Sequence, residues 1–346
     1  MGEPRLSLSS RPRGRREGVL VEGAPRGSDA AGAARLVWVD QLRGLAVCLV
    51  VLYHASLTSL DEATLLGAAL RRLNDLAAPL RMPLLAFLSG WLVPRSLAKG
   101  PRRYLRGKLR HVLRPYLLWS GVMIALWCGP LALMTFEPQV VLRVLWQPFD
   151  HLWYLYFLFL YYLLALATTR IRPLVVAAAA LGAALVLAQV SGEPKELLLL
   201  AAFFMLGVDV ATFGTTWASL WSRPAARVVF VVAAAALLVR PLVASGPGGW
   251  YDPWLAPIVA ALLLGVHDVV ARAGSLPRAD ALARVGRDSL VYYLVHWPAL
   301  VVLREVLAPV PLSPVGRFAV SIALVFGLAA TLAWLRRRVR LVALLF

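Results

Sequence analysis

The chain has 346 residues, 60% of them hydrophobic and 16% charged, and its formal net charge is +18 at pH 7. Apolar runs of about 17–25 residues, the length that crosses a hydrocarbon core, recur along it. This composition excludes a soluble globular domain and predicts an all-α, polytopic helical membrane protein. Cys48 and Cys128 both lie within apolar runs. We therefore expect no disulfide framework, no metal site and no permanently bound cofactor.

The positions of the charges orient the predicted helices. We predict about ten spans, at roughly residues 41–60, 76–94, 114–134, 151–169, 173–190, 196–213, 226–243, 254–270, 288–307 and 316–335. Because this number is even, both termini share one side with the arginine runs at 95–114, 272–287 and 336–340. The positive-inside rule makes that side the cytoplasm. We predict a multi-pass cell-membrane protein whose basicity sets its topology and contacts membrane lipid, and we expect no nucleic-acid partner.

The amino-terminal segment differs from the rest of the chain. Residues 1–35 are rich in Arg, Gly, Ser, Pro and Ala and lack hydrophobic periodicity. Such a composition is typical of disorder, so we predict a disordered basic cytoplasmic tail that adheres to anionic lipid. No apolar segment with a cleavage site follows the basic start, so a cleaved signal peptide is not expected. Residues 36–340 then form the transmembrane domain.

The first span carries costly polar residues. Asp40 and Arg43 lie at its start and His54 lies deep inside it. Eleven residues separate Arg43 from His54, which is three helical turns plus roughly 20° and roughly 16 Å along the axis. Both side chains therefore point to nearly the same face. Polar groups at membrane depth usually face a cavity or a partner, so this face is a candidate functional site.

The second span combines prolines, small residues and one arginine. We expect Pro79 and Pro83 to kink it, and Ser89-Gly90 to allow a close helix contact or a local break. Arg81 lies about one turn inside the outer boundary, so it either snorkels to the interface or lines a substrate pocket. The preceding outer segment, residues 61–75, has the apolar spacing of an interfacial amphipathic helix.

A basic loop follows between Pro94 and Pro115. Its arginines recur at three- and four-residue steps and form one stripe if the loop is helical; they are Arg103, Arg106, Arg110 and Arg114. Such a stripe suits a ligand with several phosphates. The alternative is that these charges only retain the loop in the cytoplasm and contact anionic lipid.

Two later segments place polar residues at or in the membrane. His151 and Trp153 lie at the outer mouth of the fourth span, where aromatic residues are either interfacial anchors or binding groups for a hydroxylated molecule. His296 lies about 12 Å into the ninth span, close to Pro298. It is either a packed, hydrogen-bonded residue or part of a site.

Five of these segments together resemble the membrane acyltransferase-3 family. They are DQLRGL at 40–45 followed by Tyr53-His54, RMPLLAFLSGWL at 81–92, RGKLRHVLRPYLLW at 106–119, HLWYL at 151–155 and YLVHWP at 293–298. Two departures are Gln41, where Gly or Trp is common, and Leu85-Ala86, where phenylalanines are usual. Neither departure removes a reactive group.

The resemblance implies transfer of an acyl group, commonly acetyl, from cytoplasmic acyl-CoA to a hydroxyl of a carbohydrate, glycolipid or related molecule. By position, His54 matches the catalytic histidine and Arg43 its partner, and the transmembrane domain becomes an acyltransferase domain. The four arginines of the basic loop match the acyl-CoA-binding run. We further assign Asp40, Ser89 and Gly90 to support of the site, and acceptor binding to the outer and mid-membrane polar residues Arg81, His151, Trp153 and His296.

Acyl transfer to an alcohol needs a base that titrates near neutrality, which histidine supplies. His54 either activates the hydroxyl directly or carries a transient acyl group. The competing hypotheses are a transporter or flippase of a polar lipid-linked sugar, and a membrane scaffold. The sequence leaves open the acceptor, the acyl chain and the oligomeric state, a homo-oligomer included.

Overall fold

The computed structural model describes residues 2, 36–61, 63–128, 142–188, 193–243 and 251–346. The predicted tail at 1–35 lies outside the described residues, Gly2 excepted. No strand occurs among the described residues, which confirms the all-α class. The α-helices are α1 Val37–Ser59, α2 Leu65–Trp91, α3 Val93–Leu97, α4 Pro101–Lys108, α5 Arg114–Cys128, α6 Trp153–Ala167, α7 Pro173–Val186, α8 Glu193–Thr212, α9 Gly214–Trp221, α10 Pro224–Val243, α11 Ala256–Ala273, α12 Asp280–Arg287, α13 Ser289–Leu307, α14 Pro314–Leu335 and α15 Arg340–Leu344.

Six stretches in the described part of the chain are long and apolar enough to cross a membrane. They are Val37–Ser59, Leu65–Leu97, Asp150–Ala167, Pro253–Ala273, Ser289–Leu307 and Pro314–Leu335. Helices α8 and α9 are bent by 95° and add a seventh if they form one broken span. Helix α7 is apolar but has 14 residues, fewer than the ~20 that cross a hydrocarbon core. A multi-pass helical membrane protein is thus confirmed, whereas the predicted count of about ten spans is not reached by this criterion.

Helix α2 is longer than the sequence predicted. It begins at Leu65 and runs through both Pro79 and Pro83 to Trp91, so the separate interfacial helix expected at 61–75 is wrong. The Thr64 hydroxyl accepts a hydrogen bond from the Gly67 N–H at 3.0 Å and caps the start of this helix. Both prolines are buried in the bundle, where packing against neighbouring helices tolerates the lost backbone bonds.

Two pairs of glycines bring helices into backbone contact. A side chain on Gly44 of α1 would collide with the Leu282 carbonyl of α12, and one on Gly286 would collide with the Asp40 carbonyl. Helices α2 and α8 meet in the same way through Gly90 and Gly207. The glycine that follows Arg43 therefore sets how closely α12 approaches the start of α1, and Gly90 has the close helix contact that its sequence allowed.

Polar contacts join several segments at one end of the bundle. Gln41 is 1% exposed, and its amide exchanges two hydrogen bonds with the Leu276 backbone, at 3.0 and 2.6 Å. Asp288, after α12, forms ion pairs with Arg336 and Arg337 at the end of α14. The residue that departs from the family pattern at position 41 thus anchors the loop before α12.

Candidate active site

His54 of α1 and His296 of α13 are in direct contact. The His54 Nδ1 atom lies 3.1 Å from the His296 Nε2 atom, across 242 residues of sequence. His296 is 0% exposed, and its Nδ1 atom lies 2.6 Å from the Tyr293 carbonyl oxygen. Two residues that the sequence placed in separate spans and separate roles therefore form one imidazole pair.

His151 joins this pair through a backbone group that a proline leaves available. Pro298 has no N–H, so it cannot donate the helical hydrogen bond to the carbonyl of Leu294, four residues earlier. The His151 Nε2 atom lies 3.2 Å from that carbonyl oxygen and donates to it instead. The His151 and His296 ring centroids are 5.2 Å apart. We call His54, His151 and His296 the histidine site.

A single residue, Tyr293, holds the histidine site from both sides. The Tyr293 hydroxyl donates a hydrogen bond to the His151 carbonyl oxygen, while the Tyr293 carbonyl accepts from His296. The His151 Nδ1 atom is buried and has no hydrogen-bond partner among the described residues. Because its Nε2 atom carries the proton, this Nδ1 atom presents a lone pair.

Arg81 is buried beside the histidine site. Its side chain is 5% exposed, donates to the Asn74 side-chain oxygen and covers the Tyr53 ring, with 4.4 Å between the guanidinium carbon and the ring centroid. It also interacts electrostatically with His54. A snorkelling arginine would expose its guanidinium to the interface. The burial of Arg81 instead favours the pocket-lining alternative.

The end of the bundle that carries Trp153 is aromatic. Trp153 is half-buried and meets Tyr251 edge-on, with 5.8 Å between ring centroids. Tyr251 precedes α11, and burial raises the pKa of its hydroxyl above the usual range. It also interacts electrostatically with Arg81. Tyr251 thus connects Trp153 to the arginine beside His54.

The indole of Trp297 flanks His54 on α13. The two ring centroids are 5.0 Å apart in an edge-to-face arrangement. The Trp297 Nε1 atom is buried and has no hydrogen-bond partner in the part of the chain that the structure describes. The result is a buried N–H donor next to an imidazole.

Arg43 is on the same uninterrupted helix as His54 but is not in contact with it. Helix α1 is continuous from Val37 to Ser59, so roughly 16 Å of axis separates the two residues. Arg43 is half-buried and interacts electrostatically with Tyr154 on α6. Asp40 is 7% exposed and Ser89 is 5% exposed, so both lie inside the bundle.

The basic loop is helical but not as one regular helix. Helix α4 passes into a π-helical turn, Leu109–Leu113, and then into α5. The wider i→i+5 turn offsets the residues on its two sides, so the expected single stripe is interrupted between Arg106 and Arg114. Arg103, Arg106 and Arg110 are exposed. Arg114 is half-buried, with one guanidinium nitrogen 3.4 Å from the Ala343 carbonyl.

Positive charge is concentrated around His111 in this turn. Partial burial lowers the pKa of His111, and the neighbouring cations Arg110, Arg114, Lys108 and Arg336 lower it further. Arg336 belongs to the end of α14 and not to the loop. We call the surface of Arg103, Arg106, Arg110, Arg114, Arg336 and Arg337 the arginine-rich end.

Fold and site together define a multi-pass membrane protein with a buried histidine site inside a helical bundle. The chain belongs to the acyltransferase-3 family, because the family model described as an acyltransferase domain matches residues 36–334. The resemblance of the five sequence segments is thereby confirmed, and so is membership of a family of membrane acyltransferases.

A short alignment supports the membrane assignment. Over 73 residues the chain is 34% identical to the inner membrane protein YcfT of Escherichia coli (strain K12). The aligned stretch covers 19% of this chain and 20% of that protein. The chain thus matches about one fifth of that relative's length. No solved structure matches the chain.

Sequence reasoning missed Tyr251, Tyr293 and Trp297. Tyr293 and Trp297 flank His296 within YLVHWP, and Tyr251 lies in the aromatic stretch Trp250 to Trp254. Pro298 was a usable signal, because it has no N–H and leaves the carbonyl of Leu294, four residues earlier, without its helical donor. The position of this proline indicates that a donor from elsewhere is needed there, but it does not identify His151.

Proposed function

We propose that this protein is a membrane O-acyltransferase that moves an acyl group, acetyl as the first expectation, from acyl-CoA to a hydroxyl of a carbohydrate, glycolipid or related exported molecule. The observation that carries the proposal is the contact of His54 with His296 inside a helical bundle that has a basic end and an aromatic polar mouth. In this proposal the arginine-rich end and both termini are cytoplasmic, in a cell membrane crossed about ten times.

The chemical step places His54 between donor and acceptor. The imidazole takes the proton of the acceptor hydroxyl as the oxygen bonds to the thioester carbonyl carbon. The carbon–sulfur bond then breaks, and the proton passes from His54 to the leaving thiolate. The products are the acyl ester and free CoA. A transient acyl group on His54 would use the same atom, and trapping a hydroxylamine-sensitive labelled protein would reveal that route.

The developing oxyanion needs hydrogen-bond donors or positive charge. The Trp297 N–H is a buried donor beside His54 that has no partner in the described part of the chain. Arg81 adds a buried positive charge that acts on His54. We propose that the Trp297 N–H donates a hydrogen bond to the oxyanion and that the positive charge of Arg81 stabilises it electrostatically.

The donor substrate would bind at the arginine-rich end. Exposed arginines bind phosphate strongly through charge-assisted hydrogen bonds, and acyl-CoA carries several phosphates. Arg106 and Arg110 are exposed on either side of the start of the π-helical turn. Arg43, one third of the way from the start of α1 to His54, would contact the donor further inside.

The acceptor would enter from the aromatic mouth. Trp153 and Tyr251 present edges and a hydroxyl, which suit the apolar faces and hydroxyls of sugars. His151 offers its Nδ1 lone pair as a hydrogen-bond acceptor to a sugar hydroxyl. Arg81 completes this side of the site.

The test uses purified protein in lipid nanodiscs with radiolabelled acetyl-CoA and a panel of glycans and glycolipids. His54→Ala is expected to lower kcat by about 10³-fold or more, because it removes the base. His267→Phe is the matched control, since His267 is half-buried against Trp38 and Phe87, away from the histidine site.

Full transfer by folded His54→Ala would contradict the proposal. The transporter hypothesis makes a different prediction in proteoliposomes, which is movement of an unmodified glycan across the membrane without labelled product. That result would also overturn the proposed function.

A further inference from the structure

We propose that His296 is a positioning residue that sets the tautomer of His54 and leaves the His54 Nε2 atom free to accept a proton. This inference rests on the proposed acyl transfer. It replaces the acceptor-binding role that the sequence suggested for His296.

The first hydrogen bond has only one direction. The Tyr293 carbonyl oxygen lies 2.6 Å from the His296 Nδ1 atom, and the Tyr292 carbonyl lies 3.2 Å from it. A carbonyl oxygen can only accept, so Nδ1 of His296 must carry the hydrogen. His296 is 0% exposed, and burying an unpaired charge is costly. The neutral ring therefore has its single hydrogen on Nδ1 and a lone pair on Nε2.

The second hydrogen bond follows from the first. With a lone pair on the His296 Nε2 atom, the contact of 3.1 Å to the His54 Nδ1 atom requires the hydrogen to be on His54. Neutral His54 then carries no hydrogen on Nε2. If Nε2 carried it instead, two lone pairs would face each other at the contact. The pair therefore presents His54 as a base at the ring atom that points away from His296.

The helix turn that supplies these carbonyls is held from a second direction. His151 donates to the Leu294 carbonyl at 3.2 Å. The Tyr293 hydroxyl in turn donates to the His151 carbonyl oxygen. These two bonds join α13 to the turn before α6 and hold the Tyr293 side chain and the adjacent Leu294 carbonyl in place. Such second-layer bonds are what holds a catalytic ring in one orientation.

The same contact assists the proton transfer itself. When His54 takes the acceptor proton on Nε2, it becomes an imidazolium whose Nδ1–H still donates to the His296 lone pair. His296 does not change its own protonation. The charge formed next to a hydrogen-bond acceptor costs less than the same charge facing an apolar side chain.

Two substitutions separate positioning from packing. His296→Leu fills the space without an acceptor, and His296→Gln returns an amide oxygen near the position of Nε2. We expect His296→Leu to lower kcat by about 10²–10⁴-fold, the range seen when a catalytic histidine loses its orienting partner. KM for acyl-CoA and for the acceptor should change by less than about threefold, since ground-state binding is retained. His296→Gln should recover at least about tenfold of the lost kcat.

A spectroscopic measurement tests the proposal without turnover. In protein labelled with ¹⁵N-histidine, with His54 assigned by comparison with His54→Gln, the wild-type His54 signals should be those of the Nδ1–H tautomer. In His296→Leu they should shift towards the Nε2–H tautomer or a mixture. Because this readout needs no substrate, it stands even if the proposed acyl transfer fails.

Three results would overturn the inference. They are an Nε2–H tautomer of His54 in the wild-type protein, unchanged kcat in folded His296→Leu, and a raised acceptor KM with unchanged kcat. The last result would return His296 to acceptor binding. If His296→Leu does not fold, His296→Gln and the wild-type spectrum decide the question.

Discussion

In and beside the histidine site, His151, His296 and Arg81 are each at most 5% exposed, and each makes a hydrogen bond to a defined group. At the arginine-rich end, Arg103, Arg106 and Arg110 are exposed, and several cations surround His111. The buried groups have one geometry available, whereas the exposed ones are solvated and repel one another. In the proposed enzyme, the first region therefore governs kcat and the second governs KM for the donor.

After the losses of kcat expected for the His54 and His296 variants, the next largest effect comes from Trp297→Phe. This change removes the buried N–H donor beside His54 and keeps one aromatic ring. We expect kcat to fall by about 10²-fold, as when one oxyanion donor is deleted, with little change in KM. Steady-state kinetics measures both constants. The control is Trp254→Phe, because Trp254 is exposed. A normal kcat would remove Trp297 from the mechanism.

A smaller effect is expected from the double substitution Arg106→Gln, Arg110→Gln. Both side chains are exposed, so folding should be unaffected, and KM for acyl-CoA should rise by about tenfold from two lost charge-assisted contacts. High salt should reduce the difference, because screening already weakens the wild-type contacts. The matched control is the double substitution Arg304→Gln, Arg317→Gln. These residues lie near the end of α13 and the start of α14, away from the arginine-rich end. Equal losses in both double variants would show that charge at this particular end does not bind the donor.

The glycine contact at the start of α1 allows a test of stability. In Gly286→Ala the new methyl group would overlap the Asp40 carbonyl, so α12 must move away from α1. We expect a loss of about 1–3 kcal/mol, the usual cost of overpacking, seen as a lower thermal midpoint in detergent. Gly182→Ala is the control, since space is open there. An unchanged midpoint would mean that α12 shifts without cost.

The smallest expected effect is a pH dependence of donor binding at His111. Partial burial holds the pKa of His111 below the usual value, and Arg110 and the neighbouring cations lower it further. A bound polyanion would neutralise these cations and raise that pKa. The complex then binds more protons than the free protein, so acyl-CoA affinity should increase as pH falls through the interval between the pKa of His111 in the complex and its pKa in the free protein.

Calorimetric titration with CoA between pH 7.5 and 5.5 (about the range in which histidine titrates) measures this dependence. In His111→Gln the histidine contribution disappears, while protonation of CoA's own phosphate remains. Only the difference between the two proteins is therefore interpreted. An affinity difference that shrinks on acidification would contradict the assigned direction.

Part of the site could be predicted from local sequence. The helical period alone placed Arg43 and His54 on one face of α1, and the helix is continuous through both residues. Ser89-Gly90 indicated a close contact because only small residues permit one, but Gly207 as its partner was not predictable. The π-helical turn was missed, because LRHVL has no Pro or Gly to mark it.

The sequence by itself determined the membrane class, the helical architecture and the family, because hydropathy, helical period and short motifs are local properties. Only the tertiary structure decided that Arg81 is buried, that His151 bonds the carbonyl freed by Pro298, and that His54 meets His296. A histidine in an apolar span has the same hydropathy whether it faces lipid, a packed neighbour or a second histidine. Its chemistry depends on which atoms lie within about 3 Å of each ring nitrogen, and the atom nearest the His54 Nδ1 atom across the bundle belongs to His296 of α13.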